Sequence, residues 1–164
     1  MSDSMPEPKI LNSLGDTVCR ATSVLAGMQL DLFTPLKDGP LRADQIAASL
    51  GVQEAKLSPL LYALVVVGLL TVEDGLFANT AEADYYLVRG RPSYRGQRHK
   101  FFSDIWRAEL RIAESIRTGK PQAAHDYANM SEDELFEFMD GMHRGAFDDG
   151  LRLAHNYISR HTRR

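Results

Sequence analysis

A single cysteine, Cys19, occurs among the 164 residues, so the chain cannot form a disulfide within itself. No CxxC pair and no cluster of cysteine and histidine is present that could hold zinc. The longest apolar run, Leu60 to Leu70, is too short to cross a bilayer. The first nine residues are polar and acidic with two prolines, unlike a secretory signal. These absences favour a cytoplasmic protein over a secreted or membrane-spanning one.

Strong charge of either sign is also missing, because the formal net charge is only −3. The charge is unevenly spread: residues 1–90 carry 6 lysines and arginines against 11 aspartates and glutamates, whereas residues 91–164 carry 13 against 11. A net charge so close to zero is not typical of a protein whose partner is nucleic acid.

Signatures of catalysis are absent as well. No GxSxG, P-loop or GxGxxG motif is present, and no two histidines are spaced four residues apart. The glycine series Gly141, Gly145 and Gly150 falls within an amphipathic helical pattern and lacks the preceding strand of a nucleotide-binding turn. The residues alone therefore predict that the chain has no catalytic residue and no metal site. They indicate at most an incomplete enzyme.

What the sequence does contain is helical periodicity. Apolar residues recur at spacings of three and four from about Ile10 to Leu30, which predicts a helix with one wide apolar face. Cover for this face from the same subunit and cover from a partner subunit both remain open. A second widely apolar helix is predicted over His99 to Thr118. The candidate interface residues on these two helices are Leu11, Leu14, Val18, Leu25, Met28, Ile105 and Ile112.

The middle of the chain has the pattern of a winged helix-turn-helix. Helices are predicted over 43–50 and over about 53–67, the second with a late start or a bend because of Pro59. Two short apolar runs joined by Asp74-Gly75 predict a β-hairpin, the wing. Thr80 is a predicted N-cap for a short helix that follows.

The rest of the chain is predicted to be helical. Gly90 to Gly96 has the composition of a linker, and Ser131 with Glu134 predicts a capping box at the start of a last helix. The predicted fold is mainly α, a winged helix with long C-terminal helices that forms an intertwined dimer. Its predicted divisions are a disordered tail over 1–9, a winged-helix domain over 10–90 and a helical extension over 91–164.

A winged helix often reads DNA with its second helix. Here the charges of that helix, Glu54 and Lys56, cancel, and the wing carries Glu73 and Asp74, which repel phosphate. A transcriptional regulator that uses another face stays open as an alternative, although the prediction is that the chain binds no nucleic acid and no membrane.

An ordered series of segments is similar to the N-terminal dimerisation domain of S-adenosylmethionine (SAM)-dependent small-molecule O-methyltransferases. These enzymes serve plant phenolic and bacterial polyketide or carotenoid pathways. The segments that carry the resemblance are Leu32-Phe33, Asp38-Gly39-Pro40, Leu50-Gly51-Val52, Leu60-Leu61-Tyr62-Ala63-Leu64, Gly68-Leu69-Leu70, Gly119-Lys120-Pro121 and Phe138-Met139-Asp140-Gly141-Met142.

The resemblance implies a dimerisation module that also forms part of the lid of a substrate pocket. It places Phe102, Trp106, Phe138 and Met142 at the wall of that pocket, although such stripes are more often core. The family's glycine-rich cofactor loop and histidine base have no counterpart here. The expectation is therefore a truncated or freestanding module, inactive alone and without a bound cofactor, SAM being implied for the full-length family.

The implied partners are a second copy or a full-length relative, and a small aromatic or polyketide-like substrate. A noncatalytic binder of small aromatic ligands is the remaining alternative.

Overall fold

The structure, a computed structural model, describes residues 6–122 and 130–161. It is mainly helical, with one small antiparallel sheet. The elements in chain order are α1 (Lys9–Gln29), a 3₁₀ helix (Thr34–Asp38), β1 (Leu41–Arg42), α2 (Ala43–Leu50), α3 (Glu54–Val67), β2 (Leu70–Glu73), β3 (Leu76–Asn79), α4 (Ala81–Leu87), α5 (Arg98–Glu109), α6 (Ile112–Thr118) and α7 (Glu132–His161).

The chain divides into two compact units, Met1–His99 and Lys100–Arg164. The core of the first unit consists of apolar side chains from the 3₁₀ region, α2, α3 and the sheet. Its most completely buried large side chains are Phe33, Leu32, Ile46, Leu61, Leu64 and Leu70. Because these residues come from the turn before the 3₁₀ helix, from α2, from α3 and from β2, one core holds these elements together.

The helix-turn-helix and the hairpin are confirmed. Helix α3 follows α2 after a bend of 112°, within the range typical of a helix-turn-helix. Strands β2 and β3 pair antiparallel across Asp74-Gly75, where both residues have the positive φ that a tight hairpin turn requires. Strand β1, which the sequence did not predict, pairs with the other side of β3 and gives the order β1-β3-β2.

Pro59 does not delay α3. The helix begins at Glu54 and includes Pro59 as its sixth residue, so the late start is wrong, whereas the bend, the other predicted effect, stays a prediction. Proline has no backbone N–H and leaves the carbonyl of Ala55 without its helical donor. Both positions are exposed, where water can satisfy that carbonyl.

The predicted caps of two helices are confirmed. Thr80 accepts a hydrogen bond from the backbone N–H of Ala83 at 3.4 Å, which caps α4. At the start of α7 the carboxylate of Glu134 accepts from the backbone N–H of Ser131 at 2.9 Å. The Ser131 hydroxyl accepts in return from the N–H of Glu134 at 3.3 Å, which completes the capping box.

The single helix predicted over 99–118 is wrong, because the chain forms α5 and α6 with a break at Leu110 and Arg111. Arg111 has left the helical conformation, with φ −110° and ψ 12°, and its guanidinium binds the Glu114 carboxylate through two hydrogen bonds of 3.0 Å. An acidic residue in a first turn favours a new helix N-terminus. Ile105 and Ile112 consequently lie on different helices.

Candidate dimerisation surface

Helix α1 has two halves with different surroundings. Every residue from Lys9 to Arg20 is exposed, whereas the C-terminal half packs into the first unit and ends with Gly27 and Met28 buried. The exposed half is twelve residues, a helical length of roughly 18 Å. Its apolar side chains are exposed by 81% at Ile10, 68% at Leu11, 57% at Leu14 and 61% at Val18. At helical spacing these four share one face, so α1 presents an apolar stripe to solvent.

Contacts with α3 hold α1 from Arg20, the last residue of the exposed half, onward. The Arg20 guanidinium donates a hydrogen bond of 3.4 Å to the carbonyl of Val66, near the C-terminal end of α3. Further along, Gly27 brings the α1 backbone close to Leu64 of α3, where a Cβ on the glycine would lie 3.2 Å from the leucine Cδ1. The close contact anchors α1, and three turns of helix are left without cover from the first unit.

The serine and threonine hydroxyl groups of α1 form hydrogen bonds within the helix and do not need water as a partner. Ser13 donates to the carbonyl of Ile10 at 2.8 Å, Thr17 donates to that of Ser13 at 2.9 Å, and Thr22 donates to that of Val18 at 2.8 Å. Ser23 donates likewise within the helix. A hydroxyl that bonds to its own helix can be buried without losing its hydrogen bond. These contacts make α1 suitable for burial against another protein surface.

The structure separates the seven candidate interface residues into three groups. Leu11, Leu14, Val18 and Ile112 are exposed, whereas Leu25 and Ile105 are partly buried. Met28 is only 6% exposed and belongs to the chain's own core, because the C-terminal end of α1 lies against α3. Met28 can therefore contribute little surface to an interface.

Two apolar side chains of α3 are exposed, of which the sequence analysis identified Tyr62 but not Val66. Tyr62 and Val66 are 53% and 67% exposed and are spaced four residues apart, so they lie on one face of the helix. The Tyr62 ring meets the buried ring of Phe77 edge to face at 5.3 Å. The helical spacing predicted the core face of α3 correctly, because Leu57, Leu61 and Leu64 are its buried residues.

The four candidate pocket residues lie in the second unit, on α5 and α7. Trp106 and Phe138 are partly buried, Met142 is 56% exposed, and the side chain of Phe102 lies outside the described part of the structure. Phe138 and Met142 are one helical turn apart on α7 and share a face. Their role as a pocket wall stays a prediction.

Titratable groups give little sign of catalysis in the described residues. Burial raises the pKa of the Tyr94 hydroxyl above its ordinary value; the neighbouring Arg89 opposes the shift and Asp31 adds to it. No group of three histidine, cysteine or acidic residues there could hold a metal ion. No single described helix is long and apolar enough to cross a membrane, and only the bent pair α2 and α3 passes such a test of length and composition.

Comparison with known proteins gives a family assignment for the first unit. The model of the O-methyltransferase dimerisation domain matches residues 16–89. The 3-hydroxy-5-methyl-1-naphthoate 3-O-methyltransferase of Streptomyces sahachiroi is 32% identical over 118 residues, 70% of this chain and 33% of that protein. The tetracenomycin polyketide synthesis 8-O-methyl transferase TcmO of Streptomyces glaucescens is 30% identical over 102 residues, 61% of this chain and 30% of that protein.

Solved structures of O-methyltransferases superimpose on this chain. An O-methyltransferase family protein from Burkholderia thailandensis superimposes with a TM-score of 0.71 and 27% identity, covering 88% of this chain and 44% of that one. Other chains of this fold were solved with SAM or SAH bound. The present chain spans about a third of the length of the curated relatives that it matches. Residues 16–89 thus belong to the O-methyltransferase dimerisation domain family.

Proposed function

We propose that this chain is the dimerisation module of an O-methyltransferase and that two copies intertwine through α1. The observation that carries the proposal is the exposed apolar stripe of Ile10, Leu11, Leu14 and Val18 on three turns of helix that the first unit leaves uncovered. Removing one such side chain from water stabilises an assembly by about 1.5–3 kcal/mol. A stripe of four therefore provides a strong drive for association.

The chemistry of α1 supports burial by a second copy. Its hydroxyl groups are already bonded within the helix. The charged residues Asp16 and Arg20 are spaced one turn apart on the other side of the helix from Leu14. A partner helix can cover the stripe without burying an unpaired charge, which would be costly. A full-length relative that carries the same domain would fit the same surface as a heterodimer.

Two matched variants test this surface. Leu14→Glu places a carboxylate in the stripe, and Asn12→Glu places the same charge on the opposite side of the same turns. Both positions are exposed, so the core of the first unit is not disturbed. We expect sedimentation velocity to show monomers for Leu14→Glu and dimers for Asn12→Glu, with unchanged circular dichroism for both. Equal sedimentation coefficients for the two variants would contradict the proposed surface.

We further propose that the chain does not transfer methyl groups by itself. The support is chemical: the sequence lacks a glycine-rich loop after a strand, and the described residues lack a metal-binding cluster. SAM would then have to be bound by another part of the enzyme. Methylation of 2-naphthol by the pure chain with SAM would overturn this proposal, and so would calorimetric binding of SAM.

A second role, part of the wall of a substrate pocket, rests on α7. This helix exposes Met139 and Met142, by 55% and 56%, in addition to the partly buried Phe138. Methionine and aromatic side chains adapt to flat apolar ligands. The substrates that we propose are aromatic phenols, the class to which the hydroxynaphthoate of the Streptomyces sahachiroi relative belongs.

The single tryptophan, Trp106, reports on such binding. We expect 2-naphthol to quench its fluorescence in a saturable way, and Phe138→Ala to weaken that binding. Phe136→Ala is the matched control because Phe136 lies on the same helix and is 73% exposed. Absence of quenching, or equal loss in both variants, would remove Phe138 from the proposed wall.

The transcriptional-regulator alternative is less well supported. The exposed face of α3 carries Tyr62 and Val66 in place of the cationic or amide side chains that read base edges. The exposed wing residues Glu73 and Asp74 repel phosphate. We expect no gel shift of duplex DNA at low salt, and a shift that fades as salt rises would restore the alternative.

A further inference from the structure

The segment over 89–97, which contains the linker predicted over 90–96, forms hydrogen bonds with the rest of the first unit; we call it the strap. Tyr94 is 6% exposed within it, and the backbone N–H of Arg95 donates to the carbonyl of Tyr86 at 2.7 Å. A Cβ on Gly96 would overlap the Tyr94 ring, so the glycine lies flat against it. The strap leads directly into α5, at the point where the chain leaves the first unit.

One carboxylate holds the beginning of the strap to the end of α1. The Asp31 carboxylate accepts from the Thr34 hydroxyl at 2.6 Å and from the Arg89 guanidinium at 3.0 Å. The Thr34 hydroxyl accepts in turn from the backbone N–H of Arg89 at 2.9 Å. The Arg89 guanidinium lies 5.9 Å from the centre of the Tyr94 ring. Three connected hydrogen bonds thus join residues that are 58 positions apart in the chain.

The local backbone conformation and the helix dipole both disfavour an aspartate at position 31. The N–H of Leu32 donates to the carbonyl of Gly27, and the N–H of Asp31 donates to that of Met28, which is the Schellman pattern of a helix end. Asp31 holds the left-handed position of that pattern with φ 53°, where glycine is the usual residue. A carboxylate is also repelled by the negative end of the helix dipole. Neither the turn nor the helix explains an aspartate at this position, whereas its contact with Arg89 and Thr34 does.

We propose that the contact of Asp31 with Thr34 and Arg89, which we call the clasp, controls the conformation of the strap. It keeps the strap closed against the end of α1, and its release frees the strap while the core of the first unit stays folded. The clasp thereby ties the helix that carries the dimerisation surface to the exit of the chain from the first unit. Only the link between the clasp and the dimerisation surface of α1 rests on the proposed function.

The same substitution at two positions tests the clasp. Asp31→Gly removes the carboxylate and relieves the left-handed backbone, and Asp74→Gly relieves the same geometry, φ 51°, in the hairpin turn without touching the strap. Hydrogen exchange at the Arg95 amide, which bonds across to Tyr86, measures strap opening. We expect this amide to exchange about fivefold faster in Asp31→Gly, in line with loss of a partly exposed charge-assisted bond, and at the wild-type rate in Asp74→Gly.

A second variant changes Arg89, the partner of Asp31 in the clasp. Arg89→Gln removes the guanidinium and is expected to accelerate the same amide while the amides of α3 keep their wild-type protection. Unchanged exchange at Arg95 in both clasp variants would overturn the proposal. Equal acceleration across the α3 core would also overturn it, because Asp31 would then serve global stability. Sedimentation of the same samples reads the dimer separately, so a monomeric chain would contradict the proposed function and leave the clasp result intact.

Discussion

The backbone of Gly27 in α1 lies directly against the ring of Phe33. A Cβ built on the glycine would lie 3.2 Å from the Cζ and Cε2 atoms of that ring. Phe33 is fully buried, so its ring cannot move away without disturbing the core. This contact is what allows the C-terminal half of α1 to pack so closely while its N-terminal half extends without cover.

Alanine substitutions at two glycines of α1 should have unequal effects. Gly15 lies in the exposed half, where a Cβ on the glycine would meet nothing within 4 Å, so Gly15→Ala gains helix propensity of about 0.5–1 kcal/mol. Gly27→Ala gains the same propensity but crowds the Phe33 ring. We expect the free energy of unfolding in urea to rise for Gly15→Ala and to rise less, or fall, for Gly27→Ala. A larger gain at Gly27 would contradict the close packing.

Pro59 is a local weakness of α3 that can be removed. Its substitution by alanine restores the donor for the carbonyl of Ala55 and should raise the free energy of unfolding by about 1–3 kcal/mol. Pro59 is exposed, so no core packing is lost. Chemical denaturation measures the gain, and an unchanged midpoint would mean that the rigidity of proline offsets the missing bond.

The buried Tyr94 makes the stability of the first unit fall at alkaline pH. Burial raises the pKa of its hydroxyl in the folded chain, so the phenol ionises more readily once the chain unfolds. Its contribution to stability is fully present below the unfolded pKa of about 10 and is lost as the pH rises toward the folded value. We expect Tyr94→Phe to flatten the loss of stability above pH 10, with Tyr85→Phe, at an exposed ring, as the control. Parallel curves for wild type and Tyr94→Phe would contradict this account.

Local signals in the sequence predicted most of the elements of the first unit and the start of the last helix in the second unit. Asp74-Gly75 predicted the hairpin, Thr80 predicted the start of α4, and Ser131 with Glu134 predicted the start of α7. Each depends on residues within four positions of one another, so the necessary information is adjacent in the chain. The apolar periodicity of α1 likewise predicted a helix, but it left open whether the same subunit or a partner covers the apolar face.

Features that depend on distant residues could not be predicted in this way. The bond between Asp31 and Arg89 joins residues 58 positions apart, and no periodicity in the sequence indicates that they pair. The strap was predicted as a linker because of its glycine and proline content, whereas burial of Tyr94 decides its structure. Met28 fitted the interface stripe by spacing, but the fold of α1 onto α3 decided which end of the stripe is covered.

Association of the wild-type chain tests the central claim most directly. Sedimentation equilibrium over a wide range of concentrations measures the mass in solution without any substitution. The account predicts a species of twice the 18.3 kDa chain mass that dissociates only on strong dilution. A folded chain that stays at the monomer mass at every concentration, with Ile10, Leu14 and Val18 still accessible to solvent, would contradict it.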